Sequence, residues 1–560
     1  MTRILDNRPV AADPFTHEII AASLQATADE MFAVLRKTAM SAIIYEVLDA
    51  GTAVTDRAGN LASSGAGIPS FVGVLDKAVK RILELHPQPA EGDLFVTNDP
   101  FYGGVTHLND VVLALPVFAE GRRVAWTAVI AHWNDIGGMV PGSISAEARE
   151  LFQEGLRLPA VKLFDRGREL RSVTRIMEVN SRLPEFLHGD LWASIAAVRV
   201  GARRIEDALA RYGADTFEEA LRRLHDHGEE EARRALAGLP HGRFELAEEQ
   251  DSGAVYRVAV ELAAERMVVD LRDNPDQDAG PANVSRDGAV IAAQMALMNL
   301  IGGGAAANAG HFRALEVLTR PGSVFDPREP AAMAVYYEVR VRLYDLILRC
   351  LAPHLEGRLP SGGFSSICGT FIGGRHPDTG RHFTIVEPEV GGWGATAERD
   401  GISAQFSILH GDTYNCPAEI AEARYGLYVE RLELSSEPGG EGRFRGGRGI
   451  LLEYRVRGDG CFLTCAYTRS VHPPWGQAGG NDGSPNYVEV VRRGGGVERF
   501  AVATALPVNE GDVIRIHTGN GGGYGPPSER DPEALAGDRR NGLSVAGCIQ
   551  ASENLLLPSP

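Results

Sequence analysis

Between Thr97 and Gly138 one polar pattern occurs twice, His107-x-x-Asp110 and His132-x-x-Asp135. Two apolar runs, Val111–Phe118 and Val124–Ala131, lie between the copies, separated by the polar turn Ala119-Glu120-Gly121-Arg122-Arg123. Two β-rich runs around a short glycine-containing loop predict an antiparallel hairpin. A register in which Phe118 faces Val124 also sets Asp110 opposite His132 and His107 opposite Asp135. Directly opposed residues have β-carbons roughly 4.5–5.5 Å apart. Two imidazoles and two carboxylates are therefore expected at the open end of one hairpin.

That donor set suits Zn²⁺, Mn²⁺ or Fe²⁺, and open coordination positions would suit catalysis. For one His-x-x-Asp the ordinary reading is a hydrogen-bonded polar loop; two copies in register favour a metal site. Asn98, Asp99, Asn109 and Asn134 add polar groups, and Gly103, Gly104, Gly137 and Gly138 allow close backbone approach.

A chain of 560 residues is too long for one core, and roughly two to four domains are expected. The expected division is an N-terminal α+β metal-site domain (1–240), a middle α+β domain (241–355), a β-rich C-terminal domain (356–525) and a tail (526–560). The fold class is α+β, with mostly antiparallel sheets. A net charge of −18 without a basic stripe argues against nucleic-acid binding. The N-terminus lacks the apolar core of a secretory signal, and the longest near-apolar stretch, Ala289–Ile301, is too short to span a bilayer. Six cysteines do not make a disulfide framework here, and Cys461 and Cys465 read as buried thiols. These features predict a cytoplasmic protein with no membrane association.

Helical periodicity is expected over Asp13–Ala39, Val72–Leu85, Leu191–Arg211, Thr216–Ala237, Ala289–Ile301 (with a stop at Gly302-Gly303-Gly304) and, as a long amphipathic helix, Ala332–Leu351. Asp56–Asn60 is a turn between two short strands, and Asp49 lies near the start of the first. The stretch between the hairpin and Leu183 reads as helix-poor. Beyond Leu351 strands dominate, over Phe383–Val390, Tyr428–Leu434, Ile450–Val456, Phe462–Tyr467, Tyr487–Val491 and Val513–His517. Residues after Pro526 read as a loosely ordered tail.

Gly519–Gly525 lacks the Lys-Ser/Thr of a phosphate loop, and no G-x-x-x-x-G-K-[ST] occurs in the chain. A tight turn needing positive φ is the better role for it. Glu387–Ala395 and His410–Pro417 are loops of functional residue types, which structural turns explain about as well. Cys416 has no histidine base assigned to it and reads as a buried thiol. A G-x-S-x-G nucleophile elbow is absent.

Taken together, Asp13–Ser41, Leu48-Asp49-Ala50-Gly51, Gly92–Gly138, Gly391-Gly392-Trp393-Gly394, Asn415–Glu419, Arg445–Gly449 and Gly521–Gly525 give a sequence that resembles the hydantoinase B family. This is the B-type subunit of ATP-dependent hydantoinases, lactamases and 5-oxoprolinases, related to acetone and acetophenone carboxylase subunits. The resemblance implies a divalent metal, Zn or Mn, held by Asp49, His107, Asp110 and His132. It replaces Asp135 of the hairpin set with Asp49, which no spacing rule would have selected. Asp135 becomes a group that orients His107, with Asp99 a weaker candidate, and these two are the nearest candidates for proton handling. The resemblance also implies a hydantoinase A-type partner that carries ATP and Mg, and a dimer of heterodimers (a heterotetramer) or larger assembly. The implied reaction is hydrolysis of a small cyclic amide: a hydantoin, a lactam or 5-oxoproline. The alternative is a subunit of an ATP-dependent ketone carboxylase, where the same ligands would serve.

Overall fold

The computed structural model describes residues 14–302, 306–355, 357–411 and 413–543. Gly303, Gly304, Asp412, the extreme N-terminus and the end of the tail, all read above, lie outside the described residues.

The hairpin forms. Strands β1 (Ala50–Asp56), β2 (Leu61–Gly67), β3 (Leu94–Thr97), β4 (Asp110–Ala119), β5 (Arg122–His132), β6 (Val161–Asp165) and β7 (Arg168–Glu169) make one antiparallel sheet in the order β2-β1-β5-β4-β3-β6-β7. The β4–β5 register runs from Asp110↔His132 to Val117↔Ala125, then slips, so Phe118 faces Arg123 rather than Val124. The irregularity sits next to the turn and leaves the functional end in the expected register.

Both faces of this sheet are covered, which explains strands that are apolar at almost every position. Val111, Leu113 and Val129 pack with Ile20, Leu24 and Met31 of the Pro14–Thr38 helix and with Leu191, Ile195 and Val198 of the Pro184–Tyr212 helix. Val112, Ala114, Ala128 and Ile130 face Phe71, Leu75 and Val79 of the Pro69–Leu85 helix instead. The period-two alternation of a strand thus feeds two helical layers.

Three further sheets complete an α+β fold that is strand-rich in its C-terminal half. Their pairings are antiparallel except for Arg266–Asp270 with Leu315–Leu318. Several helices depart from the sequence reading. Arg171–Asn180 is helical where a helix-poor stretch was expected, and Pro532–Arg540 forms in the expected loose tail. The second is anchored by buried Asp538, which bridges Arg445 and Arg530. The Tyr336–Leu351 helix is not amphipathic: nearly every residue is buried, and its charged Arg342 and Asp345 pair internally.

The glycine-rich segments interlock through their backbones. Gly392 donates to Gly519, Gly521 to Gly447 and Gly522 to Gly362, at 2.8–2.9 Å. A Cβ on Gly446 would lie 1.8 Å from the Gly521 carbonyl oxygen. Close approach requires glycine at most of these positions and positive φ at Gly525 (+72°), and the engaged amides are not free to cradle an anion.

Candidate metal centre

Asp110 is the first residue of β4 and His132 the last of β5, and they stand opposite each other. β1 pairs with the other edge of β5, with Ala50 opposite Ala131. One rung further, the His132 N–H donates to the Asp49 carbonyl oxygen. Leu48, just before, takes a left-handed conformation (φ +68°) that turns the chain into the sheet. His107 enters from the loop before β4, which passes so near the Pro69–Leu85 helix that a Cβ on Gly104 (φ +66°) would lie 2.8 Å from the Lys77 backbone. Asp49, His107, Asp110 and His132 are each at most 7% exposed.

The donor atoms converge. His107 Nε2 lies 3.2 Å and His132 Nδ1 3.3 Å from the same oxygen, Asp110 Oδ1. Ligating atoms of His107, Asp110 and His132 all fall within 4.8 Å of one another, so this buried group could hold a metal ion. The surrounding contacts fix its orientation. Asp110 Oδ2 accepts from Tyr336 Oη at 2.9 Å and from Thr106 Oγ1, which leaves Oδ1 to the imidazoles. The Ala334 carbonyl oxygen lies 3.0 Å from His107 Nδ1, which sets Nε2 toward the cluster. Glu154 Oε1 in turn accepts from the Met333 and Ala334 amides at 2.7 Å, holding that carbonyl in place.

Burial raises Asp49 to about 7, with the His132 imidazole pulling the other way. Burial also opposes ionisation of Asp110, but the His107 and His132 imidazoles outweigh it and hold this carboxyl well below its usual range. Asp49 Oδ1 and His132 Nε2 have no hydrogen-bond partner. Buried polar atoms are nearly always paired, so two orphans beside a convergent His₂Asp group fit a bound cation.

Asp135 and Asp99 do not join this group. Asp135 accepts from the Gly137, Gly142 and Arg182 amides and from Arg182 Nη1. Asp99 accepts from the Phe101 and Tyr102 amides and from Arg157. Both secure loops, and neither lines the pocket. The paired strands end at Asp110 and His132, so the expected rung of His107 against Asp135 does not form, and Ala334 orients His107 instead.

The pocket over the cluster adds Phe71, Tyr336, Tyr337, Arg340, Phe371, Glu387 and His410. Burial raises Glu387 to about 8 and lowers His410 to about 3, so both are uncharged at neutral pH. Glu387 accepts from Asn415 and from the Cys416 amide, joining two loops noted in the sequence. Burial keeps the Cys416 thiol protonated, in line with a buried thiol. The Tyr336, Tyr337 and Arg340 positions, far along the chain, were not singled out from sequence.

Fold and cluster together define a mixed α+β protein with a buried histidine–aspartate centre suited to a metal ion. Residues 13–527 match Hydantoinase B/oxoprolinase, and the chain belongs to that family. It is 30% identical to the caprolactamase subunit beta of Pseudomonas jessenii over 552 residues, covering 95% of this chain and 94% of that one. The crystal structure of ATP-dependent caprolactamase from the same organism superposes with a TM-score of 0.89 at 26% identity, over 95% of this chain and 94% of that chain. A nucleotide-free acetone carboxylase structure superposes with a TM-score of 0.87 at 18% identity, over 95% of this chain and 78% of that chain, a likeness of fold alone. Among the described residues no helix is long and apolar enough to cross a membrane.

Proposed function

We propose that this chain is the metal-binding B-type subunit of an ATP-dependent cyclic amidohydrolase that opens a lactam, hydantoin or 5-oxoproline ring. The convergence of Asp49, His107, Asp110 and His132 beneath one pocket carries this reading, and full-length similarity to a caprolactamase subunit supports it. The partner is a hydantoinase A-type chain that binds ATP and Mg, in a dimer of heterodimers or larger. Its phosphorylation of the amide oxygen would overcome a poor leaving group and an uphill ring opening.

Asp49, His107, Asp110 and His132 are the proposed ligands of a Zn or Mn ion. Such an ion supplies Lewis acidity and lowers the pKa of a bound water to about 7. Tyr336 and Thr106 aim Asp110, and Ala334 aims His107. Phe71 and Phe371 keep bulk water from the pocket. Proton handling, expected at Asp135 or Asp99, is assigned instead to Glu387, whose Oε2 has no partner and which lines the pocket with its proton retained. Asp135 and Asp99 are positioning residues for the loops that flank the cluster.

Ketone carboxylation is the second reading. The 30% identity to a caprolactamase subunit over 95% of this chain favours amide hydrolysis over it. The test is to purify the chain with a hydantoinase A-type protein from the same source and supply ATP with caprolactam, hydantoin or 5-oxoproline. Ring opening coupled to ATP hydrolysis is the expected result. Stoichiometric bicarbonate uptake with a ketone, or no turnover of any cyclic amide, would overturn the assignment.

A further inference from the structure

Arg340 is 1% exposed, yet its Nε and Nη1 have no hydrogen-bond partner, and no carboxylate among the described residues lies within ion-pair distance. Other deeply buried arginines in this chain are paired. Arg342 and Arg469 both engage Asp345 and Glu248. An unpaired buried cation is costly, and native chains keep one only where something else supplies the counter-charge.

Its position says where that charge comes from. Arg340 follows Tyr336 by one helical turn, and its guanidinium stacks over the Tyr336 ring at 4.8 Å. The same ring lies 4.8 Å from His107, and its hydroxyl donates to Asp110. Arg340 therefore lines the same pocket as the metal cluster. Two further buried groups on that wall are also unpartnered, Tyr337 Oη and His410 Nε2. A divalent ion would be balanced by Asp49 and Asp110. With Glu387 and His410 uncharged, the guanidinium is then left as one surplus positive charge facing a cavity. Guanidinium is the side chain best matched to carboxylate and phosphate oxygens.

We infer that Arg340, with Tyr337 beside it, is the oxyanion-binding subsite of this pocket, gripping a carboxylate or phosphoryl group on the molecule held over the metal cluster. Arg340 acts there as a binding and specificity group. The inference rests on the metal reading for its charge balance and is separable from it by measurement. The oxyanion has two chemical sources: a carboxylate carried by the ring, or a phosphoryl group placed on the ring oxygen by an ATP-using partner.

The full-length chain, loaded with Zn²⁺ and assayed for bound metal, is titrated calorimetrically with inorganic phosphate and separately with acetate. Wild-type protein is expected to bind one of them. Arg340→Gln is expected to bind it about tenfold or more weakly, at unchanged metal content. Arg340→Lys keeps the charge but not the planar fork, and is expected to weaken binding roughly three- to tenfold. Preference for phosphate indicates a phosphorylated ligand, and preference for acetate a ring carboxylate. Wild-type affinity in whichever variant folds would overturn the subsite, as would failure of both anions to bind wild type. Metal loss in the variants with unchanged anion affinity would make Arg340 a counter-ion of the ligand cluster and also end the proposal. A wild-type chain that takes up no metal defeats the metal reading instead, and the variants still report on Arg340 in the metal-free chain.

Discussion

The N–H of His132 donates to the carbonyl oxygen of Asp49 at 3.0 Å. This bond carries the β1–β5 pairing one rung past its last strand residues and sets Asp49 beside a histidine far away in sequence. Asp110 flanks that histidine on the other side. The centre therefore sits across three adjacent strands, with His107 closing it from a loop.

Removing a ligand should remove the ion. Asp49→Asn and His107→Ala are expected to purify without stoichiometric metal, while circular dichroism stays that of the wild type. Elemental analysis reads the result, and full occupancy in either variant would contradict the ligand set.

Tyr336→Phe deletes one hydroxyl whose bond to Asp110 Oδ2 is 2.9 Å. Groups that orient ligands are typically worth about 10–100-fold in metal affinity. Competition with a chromophoric chelator should show a loss of that size, and unchanged affinity would mean that Thr106 alone suffices.

Burial raises the Glu154 carboxyl from 4.5 to about 8, despite its two backbone hydrogen bonds. Between those values the folded chain keeps a proton that the unfolded chain has released. Stability from this group is thus fully present below 4.5 and is lost as pH rises through about 8. The slope approaches 1.4 kcal/mol per pH unit. Glu154→Gln should flatten that part of the profile in urea unfolding at several pH values; parallel profiles would refute the assignment.

Asp345 accepts from Arg342, Arg469 and Trp475 inside the protein. Burial opposes its ionisation, but the Arg469 and Arg342 guanidinium groups outweigh that and hold it at about 2. Asp345→Ala leaves Glu248 alone to balance two buried cations and should cost about 3–5 kcal/mol. Chemical denaturation measures it, and a loss below roughly 1 kcal/mol would show that water enters to compensate.

Much of the centre was legible because an antiparallel hairpin converts sequence spacing into proximity. His132 and Asp110 follow from that alone, and a slip beside the turn at Phe118 did not disturb them. Asp49 required knowing that β1 joins β5, a pairing between strands separated by a helix and three other strands, which local pattern does not encode. Tyr336, Tyr337 and Arg340 come from still further along, on a helix buried on all sides and therefore without a polar face to flag them. The Arg171–Asn180 helix escaped for the opposite reason: only Thr174 and Met177 are buried, too few to print a periodic stripe.

The depth of the proposed four-residue ligand set also bears on how the protein would acquire an ion. Side chains at most 7% exposed keep the proposed ligands largely out of solvent, reached through the pocket above them. An ion held there would exchange slowly, through that pocket or when the covering elements part. The metal recovered from a preparation would then record what was on offer as the polypeptide first closed around it, more than the equilibrium preference of its ligands.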